Sequence, residues 1–238
     1  MTVEGSEAVV SKLVAALQQA GAADVTAEPL EEQDWDEVWR RHFKPRRIGK
    51  RFVIRPTWES FESGPTDLEI VLDPGQAFGT GDHPTTRLCL QLLDESLVNT
   101  DARVADVGCG SGILSIAAKK IGAEVVQGVD IEALSVEVAR ENAELNQVDC
   151  RFVEGDSISA LQGDFDLVLS NIISAILIVM APAFRARLKD GGMWIASGII
   201  EPNWPDVEAA AIRNGFEVAQ VLKEDGWVAA LLKVAEGH

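Results

Sequence analysis

The sequence predicts an α/β fold in which seven strands form one largely parallel sheet with helices on both faces, preceded by a short N-terminal appendage. Three observations support this prediction. Apolar segments typical of strands alternate with helical patterns from residue 101 to the end of the chain. Several of these strands, such as Leu167–Leu169, are continuously apolar, which indicates a sheet covered on both faces. The last two strands flank Glu224-Asp225-Gly226, a hairpin turn that makes the last strand antiparallel to its neighbours.

Beyond residue 101 the predicted elements alternate regularly, as they do in βαβ units. The strands are predicted at 103–107, 124–129, 150–154, 165–170, 192–198, 216–222 and 227–233. The helices are predicted at 112–121, 132–146, 173–189 and 203–214. Short turns that contain glycine separate these segments.

Two helices are predicted near the start of the chain. Apolar residues at helical spacing predict a helix over residues 6–20, with Ser6 as its N-cap and Gly21 as the residue that ends it. A second helix is predicted at 31–41, because acidic residues occupy its first turn and arginines its last, as the helix dipole favours.

Two short strands at 52–58 and 67–72 are expected to form a small hairpin or a sheet edge before the main fold. We therefore divide the chain into a reduced N-terminal segment (1–30), a linker of helix and strands (31–72) and the main α/β domain (73–238).

Composition argues against several classes of function. A net charge of −17 opposes binding to the phosphate backbone of nucleic acids. The same charge is compatible with steering a basic substrate inward, and equally with an acidic surface that keeps the protein soluble. No apolar run reaches 18 residues, and charged residues stand where a signal peptide has its apolar core. We therefore expect a soluble cytoplasmic protein that does not bind membranes.

The three cysteines, Cys89, Cys109 and Cys150, are widely spaced and have no zinc-binding pattern. We expect reduced, mostly buried thiols and no metal site. Cys109 lies within a glycine-rich turn, but no histidine follows it before His238. We therefore interpret Cys109 as a small packing residue rather than a nucleophile.

That glycine-rich turn, between a predicted strand and a predicted helix, is the most informative stretch. Glycines at positions 108, 110 and 112 let the backbone approach a ligand, and the helix start presents free N–H groups. A dinucleotide fingerprint needs a glycine at the position of Ile113. The G-x-G-x-G spacing, with Asp106 before it and Asp130 at the end of the next strand, resembles instead the S-adenosylmethionine site of class I methyltransferases. A tight turn without a ligand remains the alternative.

Other polar residues are expected at the same edge, because ligands of open α/β sheets bind beyond the carboxyl ends of the strands. Asp130 is suited to accept hydrogen bonds from two ribose hydroxyls, and Asp156 from an adenine amino group. Asn171 can hold a neutral amine through its amide oxygen. Asn171 could equally cap the next helix, a role for which Ser174 competes.

A loop over residues 73–86 is the second informative stretch, since its glycines, threonines and backbone N–H groups offer donors beside the glycine turn. It precedes a helix predicted at 87–97, for which Thr85 or Thr86 is expected to be the cap. His83 in this loop is a candidate on the substrate side of the site.

Taken together, these residues resemble the signature of the ribosomal protein L11 methyltransferase family. The segments that carry the resemblance are Phe78-Gly79-Thr80-Gly81-Asp82-His83-Pro84-Thr85-Thr86, Asp106-Val107-Gly108-Cys109-Gly110-Ser111-Gly112, Gly128-Val129-Asp130 and Ser170-Asn171-Ile172. Gln33-Asp34-Trp35, Phe43-Lys44-Pro45 and Gly226-Trp227-Val228 also fit. The segment at residues 78–86 is far more specific than the glycine turn, which many methyltransferases share.

The resemblance implies a seven-stranded class I methyltransferase (Rossmann-like) fold, with 73–238 as the catalytic domain. It implies S-adenosyl-L-methionine as the cofactor and transfer of its methyl group to lysine or α-amino nitrogens of a protein. The cofactor contacts that it implies, together with Asp156 from the argument above, are Thr86, Gly108, Gly110, Asp130, Asn171, Phe78, Thr80 and Asp156. Asn171 would also position the incoming amine, and no dedicated acid or base is implied.

The resemblance leaves the protein substrate open, because the family has a longer substrate-recognition domain before the segment that begins at Gln33. Ribosomal protein L11 or another basic protein is expected to be the partner of a monomeric enzyme. A lysine methyltransferase of the electron-transfer flavoprotein β-subunit type and a small-amine methyltransferase are the alternatives within this chemistry. A nicotinamide-dependent oxidoreductase and a non-catalytic binding module are alternatives of other classes.

Overall fold

The computed structural model of the chain describes residues 4–22, 25, 43–73, 78–79, 81–96 and 101–235. It divides the chain into two compact units, Met1–Trp39 and Arg40–His238. The domain boundaries expected after residues 30 and 72 stay predictions.

The first unit contains helix α1, Glu4–Gln19. The prediction that Ser6 caps this helix is wrong, because the helix begins two residues earlier and Ser6 lies within it. Gly21 ends it as predicted, with a φ of +89° that favours glycine. The helix predicted at 31–41 lies outside the described residues.

The second unit contains a small sheet of β1 (Arg46–Ile48), β2 (Phe52–Arg55) and β3 (Leu68–Val71). Strand β2 pairs antiparallel with β1 but parallel with β3. The predicted hairpin between 52–58 and 67–72 is therefore wrong. The residues between β2 and β3 are numerous enough to return the chain to the starting edge of the sheet, so that β3 runs in the same direction as β2.

The main sheet has seven strands within the described residues. They are β4 (Arg103–Val107), β5 (Val125–Asp130), β6 (Arg151–Glu154), β7 (Phe165–Asn171), β8 (Leu188–Ile200), β9 (Phe216–Glu224) and β10 (Trp227–Val234). Their order is β6-β5-β4-β7-β8-β10-β9, and β10 is antiparallel to both of its neighbours. The predicted seven-stranded sheet with an antiparallel last strand is thus confirmed.

Five α-helices in the described part of the second unit accompany this sheet. They are α2 (Pro84–Ser96), α3 (Ile113–Ile121), α4 (Ala133–Leu145), α5 (Ser174–Arg187) and α6 (Trp204–Arg213). Buried residues of α2, α3 and α4 pack on one face of the sheet, and those of α5 and α6 pack on the other. Neighbouring strand residues such as Leu167 and Val168 belong to opposite cores. This is the physical reason that the strand is continuously apolar.

Two boundaries differ from the prediction at the junction of α5 and β8. The helix predicted to reach residue 189 ends at Arg187, and the strand predicted to begin at 192 begins at Leu188. Leu188 already pairs with Phe165, and the register between the two strands then shifts. The two glycines at 191 and 192 therefore lie within an irregular stretch of strand rather than in a turn that precedes it.

The small sheet is fastened to α2 by Asp94. The Asp94 carboxylate accepts hydrogen bonds from the backbone N–H groups of Lys50 (2.6 Å) and Arg51 (3.2 Å) and from Nε of Arg51 (2.6 Å). These contacts hold the turn between β1 and β2 against the C-terminal part of α2.

The chain order of the strands reverses between β4 and β7. From β4 the chain moves outward to β5 and β6, and it then returns to the other side of β4 as β7. The connection from β4 leads to β5 on one side, and the connection from β7 leads to β8 on the other. Because these connections diverge, a crevice opens above the carboxyl ends of β4 and β7. Within the described residues, no helix is long and apolar enough to cross a membrane.

Candidate functional site

The turn after β4 lies in this crevice and depends on its glycines. Gly108, Gly110 and Gly112 have φ values of +76°, +51° and +79°, which are unfavourable for residues with a side chain. A Cβ atom on Gly110 would lie 2.6 Å from the carbonyl oxygen of Phe78. The backbone at Gly110 is therefore held in close contact with a second loop.

That second loop is the segment around Phe78. The backbone N–H of Ser111 donates to the Phe78 carbonyl oxygen (2.9 Å), and the Ser111 hydroxyl donates to that of Gly79 (2.6 Å). The Phe78 side chain is 59% exposed and stands at the rim of the crevice. The two informative stretches of the sequence are thus adjacent. Thr80 lies outside the described residues.

Asp130 ends β5 beside the glycine turn. Its Oδ2 accepts a hydrogen bond from the N–H of Gly110 (2.9 Å), and its Oδ1 accepts one from the N–H of Glu132 (3.1 Å). The residue is half-buried, so its carboxylate oxygens keep access to a ligand. Asp130 pairs with Glu154 at the end of β6, and Asp156 follows two residues later as an exposed side chain.

Asn171 ends β7 on the other side of the crevice. Its Nδ2 donates to the hydroxyl of Thr86 (3.3 Å), a fully buried residue of α2. Within the described part of the chain, the buried Oδ1 of Asn171 has no hydrogen-bond partner. A buried amide oxygen without a donor is unfavourable, which indicates that this site is built to receive one.

Neither Asn171 nor Ser174 caps α5, so both of those expectations are wrong. The residue before the helix is Ile173, and no side chain caps it. The Ser174 hydroxyl instead accepts a hydrogen bond from Nδ2 of Asn203 (2.8 Å). Asn171 is therefore left available for a ligand.

Helix α2 begins at Pro84, three residues before the predicted start. The expectation that Thr85 or Thr86 caps it is wrong, because both lie buried inside its first turn. His83 precedes the helix, and its Nδ1 makes a 2.8 Å hydrogen bond with the Thr85 hydroxyl. Proline suits the first helical position because it has no N–H to satisfy.

His83 also belongs to a row of aromatic rings. Its ring centroid lies 5.5 Å from that of Phe78 and 4.9 Å from that of Trp227, both in edge-on geometry. Trp227 begins β10, and the preceding turn is anchored to α2 by the Arg87–Glu224 ion pair (2.7 Å). No periodicity in the sequence indicated that Trp227 would lie near residue 83, since the contact joins the two ends of the domain.

Asp106 is a buried acid beneath the glycine turn. Its Oδ2 accepts hydrogen bonds from the backbone N–H (3.0 Å) and the hydroxyl (2.7 Å) of Ser115. Its Oδ1 is buried without a partner among the described residues. Burial raises the pKa of Asp106 from 3.8 to about 7, against the lowering effect of the Ser115 hydrogen bonds.

We expect the Asp106→Asn variant to lose a pH dependence of stability. A carboxyl with a raised pKa binds more protons in the folded than in the unfolded state, so its contribution to stability falls as the pH rises from about 4 to about 7. Between pH 5 and pH 8, the free energy of unfolding of the wild type relative to Asp106→Asn should fall by about 2–3 kcal/mol. Urea denaturation at several pH values measures this difference, and parallel pH profiles would contradict it.

The cysteines have the packing role expected of them. Burial raises the pKa values of Cys89, Cys109 and Cys150, which suppresses the reactive thiolate at neutral pH. In the described ranges, no group of three or more His, Cys, Asp or Glu residues is arranged to hold a metal ion.

Comparison with known proteins identifies relatives over almost the whole chain. The sequence model of the family described as "Ribosomal protein L11 methyltransferase (PrmA)" matches residues 2–234. The ribosomal protein L11 methyltransferase of Desulfitobacterium hafniense is 46% identical over 201 residues, which are 84% of this chain and 64% of that protein. The enzyme of the same name from Geobacter metallireducens is 43% identical, over 91% of this chain and 72% of its own length. The chain thus spans about two thirds of the length of these relatives.

Solved structures agree with the sequence relatives. The crystal structure of ribosomal protein L11 methylase from Lactobacillus delbrueckii subsp. bulgaricus superposes with a TM-score of 0.76 and 32% identity, over 82% of this chain and all of that one. The precorrin-6y C5,15-methyltransferase of Geobacter metallireducens has a TM-score of 0.56 at 16% identity, over 65% of this chain and 90% of that one. The latter likeness concerns the fold alone, which is that of the class I methyltransferases.

Proposed function

This chain belongs to the ribosomal protein L11 methyltransferase family, and we propose that it transfers methyl groups from S-adenosyl-L-methionine to amine nitrogens of ribosomal protein L11. The observation that carries this proposal is the unpartnered, buried amide oxygen of Asn171 at the crevice between β4 and β7. An amine is a hydrogen-bond donor that such an oxygen can hold while the nitrogen lone pair stays free to react.

The residues of the crevice fit S-adenosylmethionine. This cofactor has an ammonium group, ribose hydroxyls and an adenine amino group as donors, together with a carboxylate that accepts hydrogen bonds. The unpartnered oxygen of Asn171 and the carboxylate of Asp130 are acceptors suited to those donors. A Cβ atom on Gly108 would lie 2.3 Å from Cγ2 of Ile172, and one on Gly110 would lie 2.6 Å from the Phe78 carbonyl oxygen, so the shape of the turn depends on both glycines. The acceptors therefore match the donors of the proposed ligand.

We assign the cofactor contacts to residues on both sides of the crevice. Asp130 would accept hydrogen bonds from the ribose, and Asp156 would accept one from the adenine amino group. Phe78 is exposed beside the glycine turn and would cover the ligand from the rim. The full proposed set is Phe78, Thr80, Thr86, Gly108, Gly110, Asp130, Asp156 and Asn171.

When bound, S-adenosylmethionine supplies a methyl group on a positively charged sulfur that is reactive toward neutral amines. The task of the protein is to bring the target amine to it unprotonated and in line. Burial beside Asn171 disfavours the ammonium form and so promotes loss of its proton to water. Asn171 Oδ1 would then accept a hydrogen bond from the neutral amine and orient its lone pair. Thr86 fixes the amide group through the 3.3 Å contact with Nδ2.

The Asp130→Ala variant should bind S-adenosylmethionine more weakly by about 1.5–3 kcal/mol, the range for hydrogen bonds to a charged group. Glu154→Ala is the matched control, because Glu154 occupies the paired position at the end of β6. We expect it to change affinity by less than about 0.5 kcal/mol. Isothermal titration calorimetry measures both, and an unchanged affinity of Asp130→Ala would refute the ribose assignment.

Radiolabelled methyl transfer from S-adenosylmethionine to purified ribosomal protein L11 tests the proposed function directly. The proposal would be supported if the wild-type protein labels L11 and the Asp130→Ala variant does not. Cofactor binding without label on L11 would retain the methyltransferase and reject the substrate, and a cell lysate tested in parallel would reveal another target. Binding of NAD in place of S-adenosylmethionine would reject the reaction class.

We further propose that the protein acts in the cytoplasm as a monomer and does not bind nucleic acid. The net charge of −17 supports the last point, because it opposes a polyanion. Size-exclusion chromatography with light scattering checks the monomer, and a nucleic-acid gel-shift assay checks the absence of binding.

A further inference from the structure

Helix α5 exposes an apolar surface that no described part of the second unit covers. Leu177, Ala181 and Phe184 form its buried side and are fully enclosed in the core. On the outer side, Ile176 is 39% exposed and Val179 is 73% exposed. Helices on protein surfaces normally combine a buried apolar side with a polar outer side, so α5 departs from the usual pattern.

The first eleven residues of this helix are uncharged, and its charges are confined to Arg185 and Arg187 in the last turn. Residues 172–184 include no Asp, Glu, Lys or Arg, although these make up 25% of the chain. Helix α4, which is of similar length, has charged residues at positions 137, 140, 141 and 144. Contiguous exposed apolar surface on a soluble protein marks a contact site for another molecule.

The apolar surface begins beside the proposed amine position. Ile173, two residues after Asn171, is 66% exposed, and Ile200 at the end of β8 is also exposed. The hydrogen bond from Asn203 to the Ser174 hydroxyl joins the turn after Ile200 to the start of α5. We call the exposed side chains of Ile173, Ile176, Val179 and Ile200 the α5 face, which thus begins two residues after Asn171 at the end of β7.

We propose that the α5 face is the docking surface for the protein substrate, and that an apolar segment of ribosomal protein L11 lies on it while a nearby amine reaches Asn171. This inference rests on the proposed function and deepens it. A protein that delivers an amine to the end of β7 must cover the neighbouring surface, and that surface is the start of α5. The acidic charge of the rest of the protein attracts a basic partner, and the uncharged face then selects an apolar contact.

Equilibrium binding of purified L11 to the full chain, measured by calorimetry, tests this proposal independently of methyl transfer. Ile176→Asp and Val179→Asp should each weaken L11 binding at least tenfold and leave S-adenosylmethionine binding unchanged. Leu145→Asp is the matched control, because Leu145 is 44% exposed on α4, on the opposite face of the sheet. It should change L11 affinity less than twofold.

A photoreactive amino acid at position 179 provides a second measurement that does not depend on the stability of an aspartate variant. Crosslinks from position 179 to L11, absent from position 145, would support the proposal. Crosslinks to a second copy of the chain, or equal L11 affinity of wild type and both α5 variants, would overturn it while the proposed function stands. Wild-type protein that binds no L11 would overturn both, and binding without methyl transfer would retain the docking surface and reject only the reaction.

Discussion

Gly198→Ala is expected to destabilise the protein by about 3–5 kcal/mol, which would place it among the most damaging single substitutions in the chain. Gly198 lies in β8 with a φ of +83°, and a Cβ atom on it would lie 2.3 Å from the carbonyl oxygen of Ile172 and 2.9 Å from its nitrogen. These are backbone atoms, so they cannot move aside by a change of rotamer. The turn that follows Asn171 would have to shift, and activity should fall together with stability.

Gly191→Ala is the matched control for this prediction. Gly191 is in the same strand with a φ of +71°, but nothing lies within 4 Å of its missing Cβ atom. This variant should therefore lose only the stability that backbone strain costs, about 1–2 kcal/mol. Urea denaturation of both proteins separates strain from collision. Equal losses of stability in the two variants would show that the contact with Ile172 has no energetic consequence.

Asn171→Ala should lower kcat for methyl transfer by about 100-fold, because loss of the orienting amide leaves the amine poorly aligned. Cofactor affinity should fall much less, by about tenfold or under. Single-turnover kinetics and calorimetry measure the two quantities separately. Equal losses in both would mean that Asn171 is only a cofactor contact.

Thr86→Val refines the test of Asn171. It removes the hydroxyl that accepts the hydrogen bond from Asn171 Nδ2 but leaves the amide oxygen in place. A single hydrogen bond contributes about 0.5–1.5 kcal/mol, so kcat should fall about 2- to 12-fold. A loss as large as that of Asn171→Ala would assign the main effect to Thr86.

The main sheet was predictable from the sequence because its strands are buried on both faces and glycine turns separate them. The strand predicted at 103–107 is confirmed at Arg103–Val107. The small sheet was not predictable in the same way. Strand β1 begins with two exposed arginines and buries only Ile48, so its pattern is that of a polar connection. The parallel pairing of β2 with β3 depends on the path of the intervening loop, which has no periodic signal.

The candidate site divides in a similar way. Gly108, Gly110 and Asp130 lie within 23 residues of one another, and a local motif was enough to predict that they would meet. The contacts of Asn171 with Thr86 and of His83 with Trp227 join residues that are 85 and 144 positions apart, and only the folded sheet brings them together. The wrong cap assignments at Thr85, Thr86 and Ser174 have a local cause. These residues favour caps in general, but here the Thr85 hydroxyl bonds His83, and the hydroxyls of Thr86 and Ser174 accept hydrogen bonds from asparagines.

The position of β10 between β8 and β9 has a consequence for synthesis of the protein. Strand β8 is complete before β9 and β10 are made, so its outer edge has no neighbour until the β9–β10 hairpin has been synthesised. Its buried residues include Trp194, Ile195 and Ala196, and an unpaired apolar edge of this kind is prone to aggregate. The nascent chain is therefore most vulnerable between release of β8 and insertion of the β9–β10 hairpin, the interval in which a chaperone would be most useful.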